Sequence, residues 1–103
     1  MAAADAQRRE FLGVPFDLLA VGDKLMITRM HYRTGMTVPR HAHQNEQAGY
    51  VLSGRYRQTI DGTAYELRLG DSYAIPGGVE HEMEILENGE IIDVLTPPRE
   101  DYR

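Results

Sequence analysis

Cysteine is absent from the 103 residues, which excludes disulfides, thiolate nucleophiles and zinc–thiolate sites and leaves histidine to carry any metal chemistry. Its absence also fits a reducing compartment. Excess positive charge is lacking: the formal net charge is -5, so the summed field repels phosphate backbones and offers no basic footprint for nucleic acid. No stretch approaches the ~20 apolar residues that a membrane span needs. The opening Met1 to Glu10 is Ala-rich and charged, without the apolar core of a signal peptide, so the expected location is cytoplasmic and no membrane partner is expected. There is no long amphipathic helical run, no repeat, no linker and no low-complexity tract. A chain of this length fits one domain and leaves no room for a separate cofactor domain.

What is present is a succession of short runs rich in Ile, Val, Tyr and Leu, broken by Gly, Pro or Asp, which is the pattern of an all-β chain. The spacing predicts strands over Leu25–Tyr32, Gln47–Leu52, Arg55–Ile60, Ala64–Leu67, Ser72–Ile75, His81–Ile85 and Ile91–Leu95. Asp61-Gly62 is a strong hairpin signal, and Asn88-Gly89 repeats it. Pro97 and Pro98 withhold two backbone donors, stop the last strand and leave a stiff tail. Ahead of the strands, residues 1–24 form a separate N-terminal segment that packs on the main body or on a partner subunit. A turn or two of helix over Ala6–Leu12 is compatible with its composition, but a short helix at a terminus frays. So many short antiparallel strands manage their edges by closing into a barrel or a two-sheet jelly roll. A body this small gains from burying surface against a second copy, so a homodimer is expected.

His41-Ala42-His43 places two imidazoles on one face of extended backbone. Continuing by twos reaches Gln47, Gly49 and Val51, so Gln47 shares the histidine face while Glu46 points away. Gly49 leaves space beside these ligands, and Tyr50 and Leu52 pack on the opposite side. His81 opens the alternating run His81, Met83, Ile85 and is the natural distant partner. Three imidazoles plus an amide oxygen leave positions open on a six-coordinate ion for water or substrate. Nitrogen and oxygen ligands suit Ni, Fe, Mn, Co, Zn or Cu equally. A His-x-His pair also occurs as two polar loop residues, with Gln47 merely filling the interior.

These residues carry a resemblance. Gly35, five residues, His41-x-His43, three residues, Gln47, six residues, Gly54 resembles the first motif of the cupin superfamily, with Gln at the usual Glu position. Gly70, Pro76, Gly78 and His81 keep the spacing of the second motif, with Ile85 where Asn is usual. The resemblance implies a cupin jelly-roll barrel over residues 25–103, with one divalent metal ion held inside by His41, His43, Gln47 and His81. Replacing a carboxylate with a neutral amide leaves the ion more electrophilic, so it favours anionic ligands and polarises a bound oxygen more strongly. It also binds the metal less tightly.

Two further residues stand out. Asp93 lies between Ile91 and Leu95 on one face of the last strand, either facing the interior as a candidate for proton transfer or lying on an edge as a surface carboxylate. Arg99 follows the two prolines, either clamping a substrate carboxylate in two-point fashion or sitting solvated in the tail. The segment Ile92-Asp93-Val94-Leu95-Thr96-Pro97-Pro98-Arg99-Glu100-Asp101 is similar to the C-terminal segment of the KdgF-type pectin-degradation cupins. That resemblance implies a small anionic sugar-acid substrate. It also implies ring opening of 4,5-unsaturated uronate monosaccharides to linear keto uronates, with Asp93 and Arg99 catalytic. The family's Phe falls on Leu95, which keeps an apolar wall but loses the aromatic face. Two other classes remain: a metal-dependent dioxygenase, which activity without oxygen would eliminate, and a noncatalytic sugar-acid-binding cupin, which binding without turnover would favour.

Overall fold

A computed structural model describes all 103 residues. Ten strands run in chain order as β1 (Gln7–Phe11), β2 (Val14–Val21), β3 (Met26–Tyr32), β4 (Thr37–His41), β5 (Glu46–Val51), β6 (Arg55–Ile60), β7 (Thr63–Arg68), β8 (Ser72–Ile75), β9 (His81–Glu87) and β10 (Gly89–Thr96). Single turns of 3-10 helix, Ala3–Asp5 and Glu100–Tyr102, flank them. All pairings are antiparallel, in a six-stranded sheet ordered β1-β2-β3-β10-β5-β8 and a four-stranded sheet ordered β4-β9-β6-β7. The sheets face one another as a jelly roll. No helix is long and apolar enough to cross a membrane.

Period-two alternation explains how one core forms between the sheets. Along β3, Met26, Thr28, Met30 and Tyr32 are buried while Ile27, Arg29 and His31 are half-buried on the outer face. Along β10, Ile91, Asp93 and Leu95 point inward between partly exposed neighbours. The inner faces meet in a cluster that includes Phe16, Met26, Val51, Tyr56, Ile85 and Ile91. Burial of such side chains stabilises by roughly 1.5–3 kcal/mol each.

Three strands were not expected from the sequence. β1 forms where a frayed helical turn was considered, and the segment 1–24 contributes both β1 and β2 to the large sheet. The β1–β2 connection is a two-residue turn in which Leu12 and Gly13 both take positive φ, 50° and 82°. Tight hairpins favour Asn-Gly or Asp-Gly, so Leu at the first position hid the turn. β2 and β4 were obscured by internal prolines. Pro15 pairs only with Glu10 of β1, outside the β2–β3 ladder, which starts at Phe16. Pro39 falls within a shift of the β4–β9 register between Val38 and His41, the irregular position where a strand accommodates proline.

The two glycine-based turn signals had different fates. Asp61-Gly62 closes the β6–β7 hairpin with both residues at positive φ. Asn88-Gly89 is a crossover: β9 pairs with β4 and β6, whereas β10 pairs with β3 and β5 in the other sheet. Asn88 Oδ1 accepts bonds from the Thr34 backbone N–H at 2.6 Å and hydroxyl at 2.9 Å. Gly89 lies against the Ser53 carbonyl, where a Cβ would not fit. After Pro97 and Pro98 the tail turns back, and Tyr102 is buried against Phe16, with ring centroids 4.5 Å apart.

On the outer face of the large sheet, His31 bridges two strands. Its Nε2 lies 2.8 Å from Asp17 and its Nδ1 2.7 Å from Glu90, so each ring nitrogen faces a carboxylate. Arg8 pairs with Asp17 at 2.8 Å and Arg29 with Glu90 at 2.6 Å. The His31 hydrogen bond holds Asp17 below the usual carboxylate range, and the Arg29 hydrogen bond does the same for Glu90. Lowered carboxylates contribute stability that is present above their ordinary range and is lost as pH falls through their folded values. We therefore expect the urea midpoint to drop on acidification below about pH 4. His31→Gln should cost about 1 kcal/mol at neutral pH and reduce that acid sensitivity, both measured by urea denaturation.

Candidate functional site

Three histidines from separate places in the chain meet at one end of the jelly roll. His41 ends β4, His43 sits in the loop after it, and His81 opens β9 opposite His41. One ring nitrogen from each lies within 4.8 Å of the others. Their second nitrogens are held by backbone. Nδ1 of His41, His43 and His81 lies 2.8, 2.9 and 3.0 Å from the carbonyl oxygens of Pro39, Asn45 and Val79 respectively. An Nδ1–H donating to each carbonyl fixes the tautomer and leaves each Nε2 with a free lone pair, the form in which imidazole binds metal.

Gln47 completes the group. It lies on the inward side of β5, as expected, although the chain bends at Gln44 and Asn45 and is not extended from His43, and its Oε1 is 3.1 Å from His43 Nε2. With His43 Nδ1 donating to Asn45, these facing atoms both present lone pairs, and a cation shared between them removes the repulsion. Three imidazoles and an amide oxygen thus fit one divalent ion. Burial lowers the His81 pKa to about 4, and burial followed by the Arg99 charge lowers that of His43. Both rings are therefore neutral at pH 7 and available as ligands.

A small cavity of about 30 Å³ adjoins this group, and Gln47, His81, Tyr73, Asp93 and Arg99 all reach its wall. Asp93 faces inward and is 4% exposed, which settles its orientation in favour of the interior. The Tyr73 hydroxyl donates to its Oδ1 at 2.6 Å. Burial pushes the Asp93 pKa up to about 6, against the opposing pull of the Tyr73 and Gln47 hydrogen bonds. Gly49 has a different role from the expected one: the space it leaves is filled by the Tyr73 ring, on which a Cβ at Gly49 would land. Tyr50, expected to pack on the far side of β5, is 49% exposed.

Arg99 is drawn into the fold, its side chain only 11% exposed. Its Nε and Nη2 donate to the two carboxylate oxygens of Asp101 at 3.0 and 2.6 Å. Its guanidinium carbon lies 4.6 Å from the Phe11 ring centroid and 4.4 Å from that of Tyr102. Leu95 is buried between Met26 and Gln47 in the ladder. The aromatic surface absent at position 95 is supplied by Phe11 and Tyr102, and Phe11 also approaches the His41 ring at 5.6 Å. Phe11 and Tyr102 escaped the sequence reading, as did the bond from Tyr73 to Asp93. Phe11 lies on a strand without alternation, and the place of Tyr73 depends on its pairing with Gly49 across β5 and β8.

The Cupin_2 model, a cupin domain, matches residues 28–95. The chain belongs to this family. Among relatives of this cupin, the pectin degradation protein KdgF of Dickeya dadantii (strain 3937) is 29% identical over 92 residues, covering 87% of this chain and 84% of that protein. The HTH-type transcriptional regulator PuuR of Escherichia coli (strain K12) is 41% identical over 69 residues, which span 64% of this chain but 37% of the regulator. An RmlC-like cupin from Shewanella frigidimarina NCIMB 400 superposes with a TM-score of 0.92 at 27% identity, covering 100% of this chain and 94% of the other. KdgF from Halomonas sp. superposes with a TM-score of 0.87 at 24% identity, over 97% and 94% of the two chains, and shares the fold.

Two outcomes are expected from this geometry. Competition with a chromogenic chelator should give one divalent ion per chain. His43→Ala and His81→Ala should each weaken binding by more than the roughly 10- to 100-fold that loss of an outer hydrogen-bonding partner costs. Gly49→Ala should lower stability by about 1–3 kcal/mol in urea denaturation, since the displaced ring is packed inside the barrel.

Proposed function

We propose that this cupin opens the ring of 4,5-unsaturated uronate monosaccharides, of the kind released from pectin or alginate, to give linear keto uronates. The observation that carries the reading is the convergence on one cavity of the three-histidine group, a buried carboxyl and a cavity-lining arginine. Likeness to a pectin degradation protein over most of both chains supports it.

His41, His43, Gln47 and His81 would hold a divalent ion, which would supply an electrophile for a sugar oxygen. Arg99 holds the C6 carboxylate. Asp101 occupies the Nε side of the guanidinium and Nη1 donates one hydrogen to the Tyr102 hydroxyl at 3.4 Å, so the second hydrogens of Nη1 and Nη2 remain for the substrate. Phe11 and Tyr102 keep that group in place and furnish an apolar surface for the ring. Asp93 takes the proton from the C1 hydroxyl as the bond between C1 and the ring oxygen breaks. C1 becomes an aldehyde, and the electron pair forms an enolate along C5–C4. Return of the proton to C4 yields the keto sugar, with no change of oxidation state overall. Tyr73 holds Asp93 in position throughout.

A second reading is favoured by the match to a transcriptional regulator: the barrel binds a small sugar acid without converting it. The experiment that separates the two mixes the protein with a 4,5-unsaturated uronate monomer and follows the ultraviolet absorbance of its double bond, with and without chelator. Metal-dependent loss of absorbance supports ring opening. Calorimetric binding with stable absorbance, in protein that carries metal, supports the second reading.

Asp93→Asn tests the proton transfer. The variant should lower kcat by at least about 10²-fold. In the wild type, rate should rise with pH through a value near 6 as the carboxyl ionises. The stability effect has the opposite sense: the raised value means that Asp93 favours folding at low pH and loses that contribution as pH rises through about 6. Asp93→Asn should therefore unfold at a higher temperature than wild type at pH 7.5, an inert yet more robust protein.

A further inference from the structure

Asp93, Arg99 and the histidines all have protein partners: Asp93 has Tyr73, Arg99 has Asp101, and each histidine has a backbone carbonyl. One fully buried oxygen at the cavity has none. Gln58, on β6, is 3% exposed, lines the cavity, and its Oε1 makes no hydrogen bond. A buried amide oxygen without a donor is destabilising, and an apolar side chain of similar size would suit a purely structural position better. Its neighbours emphasise the exception. Tyr56 and Met83, which flank it on the four-stranded sheet, are buried, and the Tyr56 hydroxyl has its own partner in the Ser53 carbonyl at 2.8 Å.

The position of Gln58 gives the oxygen a direction. Gln58 pairs with Met83, and two residues further along both strands Ile60 pairs with His81. The amide thus projects from the four-stranded wall, one inward-facing step deeper than the histidine end, across from the wall that carries Asp93 and Tyr73. We propose that Gln58 is a recognition residue whose Oε1 accepts a hydrogen bond from a hydroxyl of the bound molecule, so that the cavity selects hydroxylated carboxylates over carboxylates that carry none. This rests on the sugar-acid reading for the class of ligand but not on turnover. The oxygen is an acceptor only, so it rewards a hydroxyl and leaves a methylene or ether at the same place unpaired, which is how a site built around a polar group rejects the analogue that lacks it.

The test compares two carboxylates of similar ring size, a saturated hexuronate and cyclohexanecarboxylate, titrated calorimetrically into metal-loaded wild type and Gln58→Met. Wild type should bind the hexuronate more tightly. Gln58→Met should lose about tenfold in affinity for the hexuronate and little for cyclohexanecarboxylate. Without ligand, the variant should melt at the same or a higher temperature, because the unpaired oxygen is gone. The proposal is overturned if wild type binds the hexuronate no more tightly than cyclohexanecarboxylate, if the variant loses equally for both, or if its hexuronate affinity is unchanged. A variant that melts much lower would assign Gln58 to the core and overturn it as well. Ring opening is scored separately on the unsaturated monomer: selective binding without turnover removes the catalytic reading and leaves this one standing.

Discussion

Burying the Asp93 carboxyl in the middle of the last strand is the constraint around which the interior is arranged. An unpaired carboxylate in a core is strongly unfavourable, and the fold meets that cost from two sides. The Tyr73 phenol donates to it at 2.6 Å, and Gln47 is directed at it from β5. Tyr73 in turn reaches Asp93 only because position 49 carries no side chain. The glycine, the phenol and the carboxyl form one unit spanning β5, β8 and β10, and Gln47 ties that unit to His43. The buried carboxyl and the histidine group are thereby coupled through an amide that touches both.

Gln at the position where the family motif usually has Glu fits this arrangement. A carboxylate at residue 47 would face Asp93 across a short gap and add a second negative charge to a dry interior. The amide avoids that repulsion, leaves Asp93 as the one acid in contact with this unit, and leaves a bound ion uncompensated. Arg99 acts in the same direction, since its charge depresses the protonation of His43 and His81. A positive charge thus lies beside the histidine group, although the chain as a whole is acidic.

Much of this was legible in the sequence because it rests on local spacing. Parity along β5 placed Gln47 on the inner side and Glu46 outside, and the alternation of Ile91, Asp93 and Leu95 survived intact in β10. Legibility failed where tertiary pairing overrides local preference. β1 is a polar edge strand with no alternation of its own, closed by a Leu-Gly turn that few sequences use. β2 and β4 contain prolines that are tolerated only because the ladder is absent or shifted there. Asn88-Gly89 has the chemistry of a hairpin, yet the chain changes sheets at that point and the glycine is needed for contact with Ser53. Gly49 was correctly placed on the inner face, but what fills the space beside it depends on a strand more than twenty residues away.

Phe11 from the first strand and Tyr102 from the last turn close on the same guanidinium. Their rings also touch each other, with centroids 5.4 Å apart. The Arg99 corner of the cavity is thus a clasp made by residues far apart in the sequence, and it exists only when both are docked. Residues that sequence position alone would mark as dispensable borders are, in space, the hinge and latch of the pocket. A fusion joined close to either one, or a trimmed boundary, disturbs the setting of Arg99 before it alters the barrel.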